Sequence, residues 1–317
     1  MDALSEVLQR GRLGGAVFCH AELSAPWALA VPRAPVLART LLAEPQHLIE
    51  YHLVLEGEAW LHAGRAAPLR LSAGDLVMLP RGQAHRLSSD AAGRAAVAGN
   101  VGAVQPGSAA STGEIGSQRP GGGGARTQLV CGYVALDRTL CGELIDALPR
   151  VLRMHAASGE VGFWLATYLR LRFIEKNAEH LGNARVLAKL SRLVFVEAVR
   201  RHALALPPGR GGWLAALQDP PVARALALLH TRPGEAWTPA RLAAEAGAPR
   251  TGLATRFRAR VGQAPMRYLA QWRMTLAAHL LERGPRDLQA LAAELGYGSE
   301  AAFSRAFRRR FGRRPQS

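Results

Sequence analysis

Glu50, His52 and His85 are residues of this chain whose types and spacing could hold a divalent metal. Glu50 and His52 stand two apart, and in a strand such residues share a face. His85 closes the segment Gly74-Asp75-Leu76-Val77-Met78-Leu79-Pro80-Arg81-Gly82-Gln83-Ala84-His85. That segment reads as a turn, a buried strand and a second turn, after which His85 emerges on the next strand and could join the other two. Two neutral imidazoles and a carboxylate suit Zn²⁺, Fe²⁺ or Ni²⁺. The other open reading is that both histidines are hydrogen-bonded core residues with no metal. His20 and His62 read as surface or strand-edge residues. Sulfur offers a second chemistry. Cys19, beside His20, and Cys131 lie in two strand-like segments. As thiolates they would react with oxidants; as thiols they would be small buried hydrophobes. Cys141 is the weaker candidate. Three cysteines without a C-x-x-C exclude a disulfide framework.

The elements that must position these groups follow from patterning. Residues 1–12 suggest a short amphipathic helix, with Leu4, Val7 and Leu8 at helical spacing. Residues 13–90 are short apolar runs broken by Gly, Pro and Asp, which predicts an all-β unit. Residues 101–127 are rich in Gly, Ser and Pro and predict a flexible loop inserted in that unit. Leu129 to Leu136 resumes as a strand. After Pro149 helical periodicity takes over, and 159–181 and 184–206 predict a helical hairpin around Gly182-Asn183. Its apolar stripes contain Phe163, Leu165, Leu169, Phe173, Leu187, Leu190, Val194 and Phe195. Pro207-Pro208-Gly209 and Gly211-Gly212 mark a boundary.

Beyond it the charge changes. Asp219 to Ser317 carries 17 Arg against 7 acids, a net of +10 out of +16 for the chain, which points to a polyanion partner. Two segments there share one design. Thr238 caps a helix that Pro239 opens, Gly247 turns, and a second helix carries Leu253, Phe257 and Val261 on its inner face. Asp287 caps, Gly296 turns, Ser299 caps again, and Phe303, Phe307 and Phe311 point inward at i, i+4, i+8. Each is a helix, a glycine turn and a helix with a polar or basic outer face, the helix-turn-helix design.

The duplicated unit, above all Leu291-Ala292-Ala293-Glu294-Leu295-Gly296-Tyr297 running on to Phe311-Gly312-Arg313-Arg314-Pro315, resembles the DNA-binding domain of AraC/XylS-type transcription regulators. The resemblance implies seven helices, with Pro265 to Arg283 as the linker helix, and recognition helices starting near Arg250 and Ser299. Residues implied at the double-stranded DNA are Arg250, Thr251, Ala254 and Thr255 in the first unit. In the second they are Ser299, Glu300, Ala301, Ser304, Arg305 and Arg308. Gly74 to His85 resembles the second cupin motif. Glu50 and Gly57 resemble the end of the first, whose usual His pair is missing here. The opening residues, a Cys on the first strand and Cys131-Gly132 on a late one resemble a subgroup of these regulators that responds to reactive chlorine.

The fold expected is therefore multi-domain: a cupin-like double-stranded β-barrel over 1–148, a helical hairpin over 149–212, and an all-α DNA-binding domain over 213–317. No apolar run of about 20 residues predicts a membrane span, and no secretory signal opens the chain, so a cytoplasmic protein is expected. By resemblance it is an activator, with RNA polymerase as partner and 159–206 as a homodimer contact. Its signal would be an oxidant or a small ligand. The alternative is a cupin-type metal-dependent enzyme such as a dioxygenase, with Zn or Fe at Glu50, His52 and His85.

Overall fold

A computed structural model describes residues 2–11, 13–42, 46–94, 97–100, 116–118, 122–155, 183–207 and 211–316. The chain packs as two compact units. One comprises Arg12–Leu136 and Leu148–His202; the other comprises Met1–Gly11, Asp137–Ala147 and Ala203–Ser317.

In the first unit the strands are β1 (Gly14–Ser24), β2 (Ala28–Val31), β3 (His47–Glu56), β4 (Glu58–His62), β5 (Leu69–Ser72) and β6 (Asp75–Leu79). They continue with β7 (His85–Ser88), β8 (Val97–Asn100), β9 (Gly116–Gln118), β10 (Arg126–Leu136) and β11 (Leu152–His155). A six-stranded sheet has the order β11-β6-β3-β10-β1-β9 and a five-stranded sheet the order β5-β4-β7-β2-β8. Pairing is antiparallel except for β1 with β9 and β2 with β8. One apolar core includes Trp27, Leu29, Leu48, Leu61, Leu87 and Leu129, all buried. Every residue of β6 is buried, and β3 is buried from Leu48 to Leu55. That accounts for the apolar run Leu76–Leu79 of β6 and for apolar residues on both faces of β3, since neither face meets water.

The predicted turns form. Gly74 and Gly82 both have positive φ. Gly82 has a second reason to be glycine, because a Cβ there would collide with that of Ala34. Asp75 accepts from the Ser72 amide at 2.8 Å and from the Arg153 guanidinium, which clips β11 onto β6. A helix absent from the sequence expectation, α2 (Ala34–Leu41), lies between β2 and β3. The expected loop over 101–127 is corrected in part. Residues 116–118 form β9 alongside β1, and Gly122 and Gly124 bond to the backbone at Ser24 and Ala25. The first helix of the predicted hairpin lies outside the described residues. The second is α4 (Asn183–Ala205), with Val194 and Phe195 buried and the Ser191 hydroxyl 2.7 Å from that of Tyr51 on β3.

The second unit contains α1 (Ala3–Arg10), α3 (Arg138–Ala147), α5 (Trp213–Ala216), α6 (Pro220–Thr231) and α7 (Pro239–Glu245). It continues with α8 (Arg250–Val261), α9 (Pro265–Glu282), α10 (Leu288–Glu294) and α11 (Glu300–Phe311). Among the described residues from Trp213 on there are seven helices, as the resemblance implies. The caps read from sequence are made: Thr238 accepts from the Arg241 amide, Asp287 from Gln289 and Ser299 from Ala302. The grouping of α1 and α3 with these helices departs from a division at residues 148 and 212. Asp137 caps α3, and Leu140, Cys141, Leu144 and Ile145 form its buried stripe. Helical periodicity thus begins before Pro149, and a strand, β11, follows that proline. Phe311 is a further correction: it is 37% exposed, one turn past the buried Phe307, at the end of the last helix.

Candidate functional site

The β unit sets three candidate residues in one row across adjacent strands. Cys131 on β10 is the register partner of His52 on β3 on one side and of Cys19 on β1 on the other. Directly opposed residues of an antiparallel pair have Cα atoms about 4.5–5.5 Å apart, inside the range a disulfide spans. Cys131 and His52 are fully buried. The His52 Nδ1 lies 3.0 Å from the Cys131 Sγ, and its Nε2 lies 2.6 Å from the Nε2 of His85. The Nδ1 of His85 is 3.0 Å from the Gln83 carbonyl oxygen and 3.8 Å from a carboxyl oxygen of Glu50. The four side chains therefore form a buried line: carboxyl, imidazole, imidazole, thiol.

Burial sets their protonation. It lifts the Glu50 carboxyl up to about 8, and neither carboxyl oxygen has a hydrogen-bond partner among the described residues. Burial holds His85 down at about 4. His52 is held well below the usual imidazole range, by burial first and by the neighbouring His85 second. Near pH 7 both rings are neutral.

This line does not fit the metal reading of Glu50, His52 and His85. A chelating set needs lone pairs aimed at one point. Here His85 offers its Nε2 side to His52 and its Nδ1 side to Glu50, so the three donors do not converge. Among the described residues no group of three His, Cys, Asp or Glu side chains is placed to hold an ion. The sequence put the residues on one face but carries no signal for ring orientation. His20 is another correction: it is buried on an interior strand, whereas His62 is half-buried at the end of β4, bonded to Ser88. Cys141 is buried, and burial with Asp137 nearby pushes its thiol up to about 12, so it is poorly suited to react. The Gln83 carbonyl, a backbone group, was beyond any sequence pattern.

In the helical unit, Arg250, Thr251 and Thr255 are exposed on α8 and Ala254 is half-buried beside them. Ser299, Glu300, Ala301, Arg305 and Arg308 are exposed around α11, with Ser304 half-buried. The arginines sort by partner. Arg232 and Arg241 are bound to Glu235 and Glu245 and flank the Trp237 ring at 4.9 and 4.5 Å. Arg256 pairs with Asp219, and Arg273 donates to the backbone of Pro233, Glu235 and Gly296. These cations hold the fold. Among the described residues Arg250, Arg258, Arg305, Arg308 and Arg309 enter no ion pair, and all are exposed. Exposed arginines outside any ion pair thus occur on both helices read as recognition helices, and also at Arg267, Arg283, Arg313 and Arg314 outside them.

A family model described as "Cupin" matches residues 2–203, and one described as "Helix-turn-helix domain" matches residues 242–317. The HTH-type transcriptional regulator AlkR of Acinetobacter baylyi is 30% identical over 317 residues, covering 100% of this chain and 98% of AlkR. A putative AraC-like transcription regulator of Streptomyces antibioticus is 33% identical over 271 residues, 84% of this chain and 86% of its own. The RCS-specific HTH-type transcriptional activator RclR of Escherichia coli is 25% identical over 316 residues, 99% of this chain and 96% of RclR.

Proposed function

Because the chain belongs to the AraC-type transcription regulators that carry an N-terminal cupin domain, we propose that it is an oxidant-responsive activator whose signal enters through Cys19 and Cys131. The observation that carries this reading is the direct register pairing of those two residues on β1 and β10. The relative named for RCS supports it. The enzyme alternative is set aside because the relatives are transcription regulators.

The chain's two cysteine-bearing strands also lead directly into helices of the other unit. β1 follows α1, and β10 runs into Asp137 and α3. A disulfide between β1 and β10 would change the strands to which both helices are joined. On this reading α8 and α11 enter successive major grooves of promoter DNA, with Arg250, Thr251, Ala254 and Thr255 in one. Ser299, Glu300, Ala301, Ser304, Arg305 and Arg308 serve the other. RNA polymerase is the partner for activation, and 159–206 the contact between two copies. Val186, Leu193 and Leu204 support the last point: they share one face of α4 and are 41%, 52% and 63% exposed. The protein acts in the cytoplasm, where promoter DNA lies. No helix of the described residues is long and apolar enough to cross a membrane.

A promoter reporter with mild hypochlorite tests the reading. Cys19→Ser abolishes the response while gel-shift affinity for the promoter is kept. A full response from Cys19→Ser would refute it.

A further inference from the structure

The hydrogen positions along the buried line follow from one backbone group. The Gln83 carbonyl can only accept, so the His85 Nδ1 at 3.0 Å carries a hydrogen. A neutral ring protonated at Nδ1 has its lone pair on Nε2. The His52 Nε2, 2.6 Å away, must then donate. Its Nδ1 is left bare, and it faces the Cys131 Sγ at 3.0 Å, which donates its S–H. One carbonyl therefore sets the tautomers of two imidazoles and delivers a lone pair to a thiol. Cys131 is fully buried, so solvent base cannot perform this task.

We propose that His52 is the proton acceptor for Cys131 when that thiol closes a disulfide on an oxidised Cys19, with His85 as the positioning residue that fixes its tautomer. This rests on the oxidant reading above. In the first step the Cys19 thiolate gives two electrons to hypochlorous acid, becoming a sulfenic acid and releasing chloride. In the second, the Cys131 sulfur attacks the Cys19 sulfur. The S–S bond forms and the S–O bond breaks. The Cys131 proton passes to the His52 Nδ1 and from there to the departing hydroxide, which leaves as water. His52 returns to its neutral state. Cys131 needs no access to solvent in this sequence, because its target is its register partner on the next strand.

The test uses the full-length reduced protein treated with one equivalent of hypochlorite. Aliquots are quenched in time, and mass spectrometry reads the dimedone adduct of Cys19 and the disulfide. Wild type is expected to pass quickly to the disulfide with little adduct. His52→Gln retains an acceptor but cannot take up the proton. It is expected to accumulate the Cys19 adduct and to form the disulfide about 10²-fold more slowly, the lower range for general-base assistance. Equal disulfide rates in the two proteins would overturn the inference and leave the oxidant reading intact. A wild-type protein that forms neither adduct nor disulfide would overturn that reading instead.

A measurement on wild type alone guards against a misfolded variant. A thiol without a base reacts as its thiolate fraction, which rises about tenfold per pH unit below its pKa. With His52 neutral and in place, the disulfide step is expected to be flat from about pH 6 to about pH 7. Of the other ionisable groups around Cys131, burial keeps Tyr51 and Tyr133 un-ionised there, His85 stays neutral, and Glu50 titrates only at about 8. A tenfold rise across that interval would overturn the assignment.

Discussion

Asp137 and His279 are joined at 2.6 Å, Oδ2 to Nδ1. The other carboxyl oxygen of Asp137 accepts from the Thr139 and Leu140 amides at 2.7 and 3.1 Å and so caps α3, while its own amide donates to the Gly11 carbonyl. One residue ties the end of α1, the start of α3 and the linker helix α9 together.

Asp137→Ala is expected to destabilise the helical unit by about 2 kcal/mol or more. Loss of the cap costs about 1 kcal/mol, and the buried His279 nitrogen loses its partner at about 1–3 kcal/mol. Asp137→Ser keeps a cap but is too short to reach His279, so it is expected to fall between. Urea unfolding of the three proteins orders them; equal midpoints would show that the contact contributes nothing.

The two turn glycines of the helix-turn-helix units are expected to respond differently to alanine. Gly247 and Gly296 both have positive φ, near 70°, which costs a non-glycine residue about 1–2 kcal/mol. At Gly247 an added Cβ meets only the side-chain guanidinium of Arg224, 3.3 Å away. At Gly296 it would collide with the Gly234 carbonyl oxygen, which is backbone. Gly296→Ala is therefore expected to lower the thermal midpoint clearly more than Gly247→Ala.

The Glu50 carboxyl gives a pH signature. Its folded-state value, about 8, lies above its ordinary 4.5, so between those two values the folded state binds the proton more tightly. The resulting stabilisation is complete below about 4.5 and is lost as pH rises toward 8, with a limiting slope of about 1.4 kcal/mol per pH unit. Glu50→Gln, neutral throughout, is expected to remove this alkaline decline. His85, depressed from 6.5 to about 4, acts oppositely: its contribution is complete above 6.5 and lost as pH falls toward 4. Denaturant midpoints of wild type and Glu50→Gln across this range check the sign. Parallel curves would refute the buried, protonated carboxyl.

At the DNA, Arg305→Ala is expected to cost about 1–3 kcal/mol of specific affinity and to relax discrimination at one base position. Arg309→Ala should weaken all sequences alike and reduce the salt slope by about one. Gel-shift titrations at several salt concentrations separate the two. Binding that ignores salt would argue against the arginines of α11 as a phosphate and groove contact.

The helical unit was legible because its signals are local. Thr238, Asp287 and Ser299 cap through amides two or three residues away, and Gly247 and Gly296 take up their turns within the same motif. Phe311 departed from the pattern because i, i+4, i+8 spacing says which face a residue occupies, but not where along the helix the core ends. The helix after Asp137 was as legible as the others: a capping Asp, then Leu140, Cys141, Leu144 and Ile145 at helical spacing. What no local pattern could say is that α3 and α1 pack with the C-terminal helices.

Sequence by itself determined a β unit followed by paired helix-turn-helix units, and it placed Glu50 and His52 on one strand face with His85 at the start of a later strand, because strand alternation and turn chemistry operate over a few residues. Only the tertiary structure decided what those residues do together. Cross-strand register, set by pairing among β1, β10 and β3, brought Cys19, Cys131 and His52 into one row from positions up to 112 residues apart. The Gln83 carbonyl then oriented the imidazoles into a line ending at sulfur. Register and ring orientation are long-range properties: they depend on which strands meet and what each ring is bonded to. The residue types are compatible with a metal site or with a thiol relay, and it is the packing that sets the His52 ring against the Cys131 sulfur.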